Sequence, residues 1–230
     1  GDVIYDAGNI ICQDNALEEA QEKLGLYVEK IIRFGGKPII VGGGHEIAYG
    51  HYLGIKEAGH RPAIVNFDAH FDLRETLEGD KGTSGTPFRQ IEKILKEENT
   101  EFVYYCCGIQ RFSNSRSLFE YAEKAGVNYR MASSINANPL DMSFIDAIIK
   151  KHKEVYITVC LDVFNASIAP GVSAPQVLGI DSVYVLEAIS RLKASNRIIS
   201  IDVAELNPAR DLERKTARLA ATIIAEYLYA

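Results

Sequence analysis

Residues 62–67 read Pro62-Ala63-Ile64-Val65-Asn66-Phe67, and residues 68–72 continue Asp68-Ala69-His70-Phe71-Asp72. A short apolar run with proline in front and carboxylates behind fits a strand buried on both faces. Three ligand-capable side chains then follow at alternate positions. A period of two puts them on one side of an extended chain. Buried carboxylates repel one another and are costly to desolvate unless paired or metal-bound. A lone Asp after a strand is commonly a helix cap, whereas two Asp and one His at this spacing predict a cation between them.

Working outward, the same grammar repeats. Apolar runs at Pro38–Val41, Glu101–Cys107, Val127–Arg130, Val155–Leu161 and Arg197–Val203 read as further strands. Between them lie helical patterns at Asn15–Phe34, about His45–Glu57, Thr86 to about Asn99, Ser117–Lys124, Ser143–Lys153, Asp181–Lys193 and Leu212–Leu228. Asn15 with Glu18 gives the first helix a capping-box start, and Gly35-Gly36 stops it. Alternating strands and helices predict an α/β fold with a mostly parallel sheet and helices on both faces. No repeat, low-complexity tract or linker divides residues 1–230, so one domain is expected. The chain opens on Gly1-Asp2-Val3-Ile4 with little before the first helix, so part of an N-terminal segment is expected to be missing.

The bulk numbers exclude several function classes. The 230 residues are 47% hydrophobic and 24% charged, an ordinary globular composition. A formal charge of -6, with no basic cluster, argues against nucleic acid and acidic membrane surfaces. There is no 18-residue apolar run, and no signal peptide is expected. The four cysteines lack metal-finger spacing, and Cys106 and Cys107 are adjacent, so a disulfide framework is not expected and a reducing cytoplasm is.

The chemically distinctive residues all follow strands. Gly42-Gly43-Gly44-His45-Glu46 follows the first, and Asp68, His70 and Asp72 follow the second. Asp162 ends the Val155–Leu161 run, with Cys160 two residues before it, and Glu205 follows the last strand. Ligands of open α/β sheets bind outside the carboxyl ends of the strands. Each cluster also has a bland reading: a tight turn for the glycines, a cap for Asp162, a loop contact for Glu205. The Gly triplet lacks the residues of a P-loop and the spacing of a dinucleotide fingerprint. His51, His60 and His152 read as surface or packing histidines, and Cys106 and Cys107 as strand packing. Convergence at one sheet edge is what raises the functional reading.

Carboxylates with two imidazoles suit Mn²⁺ or a related ion better than thiolate-rich zinc. So much negative charge predicts two ions, about 3.5–4 Å apart, which would make a hydroxide nucleophile from water at neutral pH. Metal-assisted hydrolysis is the expected reaction class.

Gly-Gly-Gly-His-Glu-Ile-Ala-Tyr-Gly-His (42–51), Asn-Phe-Asp-Ala-His-Phe-Asp-Leu-Arg (66–74), Ser-Gly-Thr-Pro-Phe-Arg-Gln (84–90), Ala-Pro-Gly-Val-Ser-Ala-Pro-Gln (169–176) and Asp-Val-Ala-Glu-Leu-Asn-Pro (202–208) stand in order along nearly the whole chain. Together they resemble the ureohydrolase superfamily of arginases and agmatinases, and within it the formimidoylglutamase branch. The resemblance implies a three-layer arginase-like fold with a roughly eight-stranded sheet and a binuclear manganese centre. It also implies hydrolysis of N-formimidoyl-L-glutamate to L-glutamate and formamide, and assembly into homo-oligomers. It carries metal-ligand roles to His45, Asp68, His70, Asp72 and Asp162, with Asp72 also catalytic. Glu205 would hold the cationic amidine, since a carboxylate facing a planar N–H fork suits bidentate recognition.

This chain departs from the family pattern twice. Cys160 stands where the family has a carboxylate that bridges both metals. It either ligates through sulfur, which Mn²⁺ disfavours, or points at the site without ligating. Ser84 occupies the place of a proton-shuttling His, and serine is no general acid near neutral pH. That argues against arginase activity and bears less on an amidine substrate. Arg74 and Arg89 are candidates for the substrate's carboxylates, each with a salt bridge as the alternative, and Ser84 is expected among the substrate-binding residues. The rival readings are a guanidino-acid or agmatine-type hydrolase and a metal-impaired, non-catalytic member of the fold.

Overall fold

A computed structural model describes residues 3–13 and 16–229. Among these residues, six strands form one sheet: β1 (Ile39–Val41), β2 (Ala63–Phe67), β3 (Tyr104–Ile109), β4 (Asn128–Met131), β5 (Val155–Cys160) and β6 (Ile198–Ala204). Every pairing is parallel, in the order β1-β6-β5-β2-β3-β4. These six correspond to the six apolar runs. The roughly eight strands implied by the resemblance are not found among the described residues. No further apolar run remains to supply them, and residues 3–13 pair with no strand.

Among the described residues, eight α-helices connect and cover the strands: α1 (Leu17–Arg33), α2 (Ile47–Glu57), α3 (Pro87–Glu97), α4 (Arg116–Lys124), α5 (Ala132–Ala137), α6 (Ser143–Lys151), α7 (Ser182–Ala194) and α8 (Lys215–Tyr229). Alternation along the strands decides which layer each side chain enters. Ile64, Tyr104, Cys106 and Tyr156 pack with α1–α4 on one face. Ala63, Val65, Phe67, Cys107, Ile157 and Val159 pack with α5–α8 on the other. Cys106 and Cys107 thus bury in opposite cores. The architecture is the expected α/β one, helix–sheet–helix.

Several boundaries shifted for local reasons. Asn15, expected as the first cap, lies outside the described residues, and Ala16 precedes α1 without a side-chain cap. The short α5 escaped the sequence because Ser, Ser and Asn are poor helix formers; Ala132 and Ile135, buried in the core, hold it. The closing helix begins with a 3-10 turn at Leu212–Arg214, where Glu213 and Arg214 take positive φ of 53° and 57°. No helix among the described residues is long and apolar enough to cross a membrane.

Two features of this fold position the site. Helices α1 and α2 cross closely because Gly54 lets backbone meet backbone: a Cβ there would lie 2.3 Å from the Gly25 carbonyl oxygen. Second, β2 leads outward through β3 to β4, whereas β5 returns beside β2 and leads the other way to β6. The chain reverses direction between neighbours β2 and β5, and their carboxyl ends open the crevice where such sheets bind ligands.

Candidate metal centre

Four loops at that edge bring the chemistry together. After β1, Gly42 and Gly43 take φ of 101° and 77°, conformations that cost a residue with a Cβ. This turn lets the Gly43 carbonyl accept from Glu205 N (2.9 Å) and swings His45 under the crevice. His45 N then donates to Glu205 Oε1 at 2.8 Å, tying the β1 loop to the β6 loop.

The run after β2 converges differently from the expected alternation. β2 ends at Phe67, and residues 68–72 leave the extended conformation. Asp72 sits at φ 48°, a strained conformation for a residue with a side chain. Buried Asn114 fixes this loop by accepting from Phe71 N (3.0 Å) and donating to the Ala69 carbonyl (2.9 Å). Tyr104 donates to the Phe71 carbonyl (3.0 Å), and Asn66 donates to both Tyr104 (2.8 Å) and Asp68 (3.2 Å). Aromatic packing of Phe71 against Phe119 and Tyr129 explains the irregular path, since it holds residue 71 in the opposite core.

Asp68 is the hub. Its Oδ2 lies 2.9 Å from His45 Nδ1, and its Oδ1 lies 3.4 Å from His70 Nδ1. His45 Nδ1 is also 2.8 Å from Asp72 Oδ2, and His70 Nδ1 is 3.2 Å from Asp162 Oδ2. Two groups result whose ligand atoms lie within 4.8 Å of one another: His45, Asp68 and Cys160, and Asp68, His70 and Asp162. They share Asp68. Asp72 joins through its contact with His45.

Electrostatics point to a missing positive charge. Burial pushes the Asp72 carboxyl up to about 7, with the nearby Asp68 charge adding to it. Asp162 is raised by burial and by Asp68, and the Cys160 thiol is held well above its usual range by burial and by Asp162. Burial also raises Glu205. Among the described residues, the two imidazoles are the cations in direct contact with these carboxylates. Burial would lower His45, yet its bonds to Asp68 and Asp72 hold it well above the ordinary value. His70 likewise rises to about 11 on Asp162 and Asp68, against the pull of burial. Asp68, though buried, is held below the usual carboxylate range by both imidazoles. Asp162 Oδ1 is buried and has no hydrogen-bond partner. An orphaned carboxylate oxygen beside mixed N, O and S donors fits a divalent cation.

These groups open onto a cavity of about 270 Å³ lined by His45, His70, Asp72, Cys160, Asp162 and Glu205, and also by Arg74, Ser84 and Ser173. The structure does not bring Arg89 there. Its guanidinium lies 3.6 Å above the Tyr121 ring and 3.2 Å from Glu75, in a separate groove. Its position on the outer side of α3 explains the difference. Of the remaining histidines, His60 pairs with Glu154 (2.9 Å) and His152 with Tyr105 (2.8 Å).

Sequence reasoning missed the residues beneath the site: Thr158, Asp202, His51 and Asn114. Asp202 had a signal, a carboxylate inside the apolar strand Ile-Ile-Ser-Ile-Asp-Val-Ala (198–204). A charged residue in a central parallel strand must have a buried partner.

The arginase-family model matches residues 2–229. Formimidoylglutamase of Legionella pneumophila (strain Lens) is 43% identical over 97% of this chain and 70% of its own. That of Clostridium tetani is 43% identical over 96% of this chain and 68% of its own. A crystal structure of formimidoylglutamase from Bacillus subtilis superposes with a TM-score of 0.87 at 28% identity, covering 99% of this chain and 71% of that one. With a parallel α/β sheet, a buried cluster of His, Asp and Cys at its switch point and a family match along nearly its whole length, the chain belongs to the arginase family.

Proposed function

We propose that this chain is a metal-dependent hydrolase that cleaves N-formimidoyl-L-glutamate into L-glutamate and formamide. The observation that carries the reading is Glu205, a half-buried carboxylate on the wall of the same cavity as two cation-ligand groups. An amidine hydrolase needs both: a place to activate water and an anion to hold the planar amidinium. The high identity to proteins named formimidoylglutamase supports the choice of substrate.

His45, Asp68 and Cys160 would hold one cation, and Asp68, His70 and Asp162 the other, with Asp72 beside His45. The oxygen-rich second group suits Mn²⁺; the sulfur of Cys160 draws the first toward softer ions. Bound divalent cations supply Lewis-acid activation of water.

The chain's own residues do the rest. Glu205 Oε1 is held by the His45 amide, which aims the carboxylate so that it can accept from the amidinium N–H groups. Asp72, on the cavity wall, takes the proton of the attacking water and returns it to the departing α-amine of glutamate. Ser84 lines the cavity as a hydrogen-bond partner and has no acid role. Arg74, an exposed residue of the cavity lining, is placed to bind a substrate carboxylate. Arg89, engaged elsewhere, takes no part.

Incubating the manganese-loaded chain with N-formimidoyl-L-glutamate and measuring formamide tests the reading. Urea released from a guanidino acid instead would favour the guanidino-acid alternative.

A further inference from the structure

Beneath the ligand cluster runs a buried polar chain that the proposed reaction does not use. Thr158 of β5, Ser200 and Asp202 of β6, and His51 of α2 are all fully buried. Three donors converge on Asp202. Its Oδ1 accepts from Thr158 Oγ1 at 2.5 Å, and its Oδ2 accepts from the Tyr156 hydroxyl and from His51 Nδ1 at 2.7 Å. His51 Nε2 reaches the Ser200 hydroxyl, which donates to the Pro38 carbonyl at 3.0 Å. At the other end, Thr158 Oγ1 lies 2.8 Å from His45 Nε2.

The direction of these bonds matters. Thr158 has one hydroxyl proton, and the Asp202 carboxylate only accepts. That proton therefore points at Asp202, and the Thr158 oxygen offers His45 only lone pairs. His45 must answer with an Nε2–H. A neutral imidazole protonated at Nε2 carries a bare Nδ1, and Nδ1 is the atom that faces Asp68 and Asp72.

We propose that Thr158 and Asp202 are positioning residues: a two-bond relay that keeps a proton on His45 Nε2 and aims Nδ1, the nitrogen that must be bare in a ligand, at the cation. His51, Tyr156 and Ser200 anchor the relay by fixing the Asp202 carboxylate. The inference rests on His45 being a metal ligand. Partners of this kind orient the ring and raise its basicity, and losing one typically weakens metal binding about 10–100-fold.

The test is Mn²⁺ affinity of the full chain by equilibrium dialysis under reducing conditions, with melting temperature as the control. Thr158→Val, close in shape and without the hydroxyl, should bind about 10–100-fold more weakly. Thr158→Ala serves as a second hydroxyl-free variant if valine disturbs the strand. Thr158→Ser, which keeps the hydroxyl, should restore binding to about the wild-type value. Asp202→Asn should weaken binding in the wild-type background and add little in Thr158→Val, because Asp202 acts through Thr158. Equal affinity of wild type and Thr158→Val would overturn the relay, as would failure of Thr158→Ser to rescue, or an undiminished Asp202→Asn effect in the Thr158→Val background. A wild-type chain that takes up no Mn²⁺ would overturn the metal reading and the relay with it.

Discussion

The main-chain N–H of His45 donates to the carboxylate of Glu205 over 2.8 Å, joining two loops that are 160 residues apart in sequence. One backbone amide therefore sets the distance between the cation-ligand cluster and the carboxylate that would hold an amidinium. Glu205 itself takes a positive φ of 72°, a conformation that persists only where the surroundings enforce it. A hydrogen bond to a charged group contributes about 1.5–3 kcal/mol. Glu205→Gln should accordingly lower kcat/KM for N-formimidoyl-L-glutamate about 10- to 100-fold. Metal content should stay at the wild-type level, and a matching loss of metal would show that Glu205 acts on the cluster instead.

Asp68 is the one residue common to both ligand groups. Asp68→Asn removes the shared charge while nearly keeping the shape. Uptake of both ions should fall together, read as metal per chain by elemental analysis. Loss of one ion with retention of the other would show that the two groups do not share this carboxylate.

Without a cation, the carboxylates hold protons on the imidazoles: His45 is raised well above its ordinary value and His70 to about 11. A metal ligand needs a bare nitrogen, so uptake must expel those protons. The sign follows. Raised imidazole values favour the protonated, metal-free form at low pH, so apparent affinity rises as pH rises. Calorimetry at neutral pH in buffers of different ionisation heat should show proton release on Mn²⁺ binding. Zero release would contradict this arrangement.

Cys160 is fully buried, and its sulfur converges with His45 and Asp68. Cys160→Asp replaces a soft donor with a hard one and should raise Mn²⁺ occupancy. Unchanged occupancy would mean that the sulfur points at the site without ligating.

The close crossing of α1 and α2 makes a prediction about stability. The Cβ of Gly54→Ala would lie 2.3 Å from the Gly25 carbonyl oxygen, so one backbone must move. Overpacking of this kind costs about 1–3 kcal/mol, visible as a lower denaturant midpoint. An unchanged midpoint would show that the helices separate freely.

Much of this was legible in the residues. Each strand is an apolar run of its own, so all six could be read without knowing their partners, and His45, Asp68, His70 and Asp162 reach one sheet edge as expected. What the sequence hid depends on distant contacts. Asp72 converges through a strained turn held by Asn114 and Phe71, not by strand alternation. Arg89 looked like a cavity residue because it follows a site loop by a few positions, yet the helical turn of α3 carries it to Tyr121 and Glu75. His51 looked like a packing histidine because its partners Asp202 and Ser200 lie about 150 residues further on.

The central claim is amidine hydrolysis at a cation cluster built on Asp68. It is tested most directly by quantifying formamide and L-glutamate released from N-formimidoyl-L-glutamate by the manganese-loaded chain, with Asp68→Asn in parallel. Equal amounts of both products are expected from the wild-type chain and next to none from Asp68→Asn. No formamide from a wild-type chain that holds its metal, or undiminished release by Asp68→Asn, would contradict it.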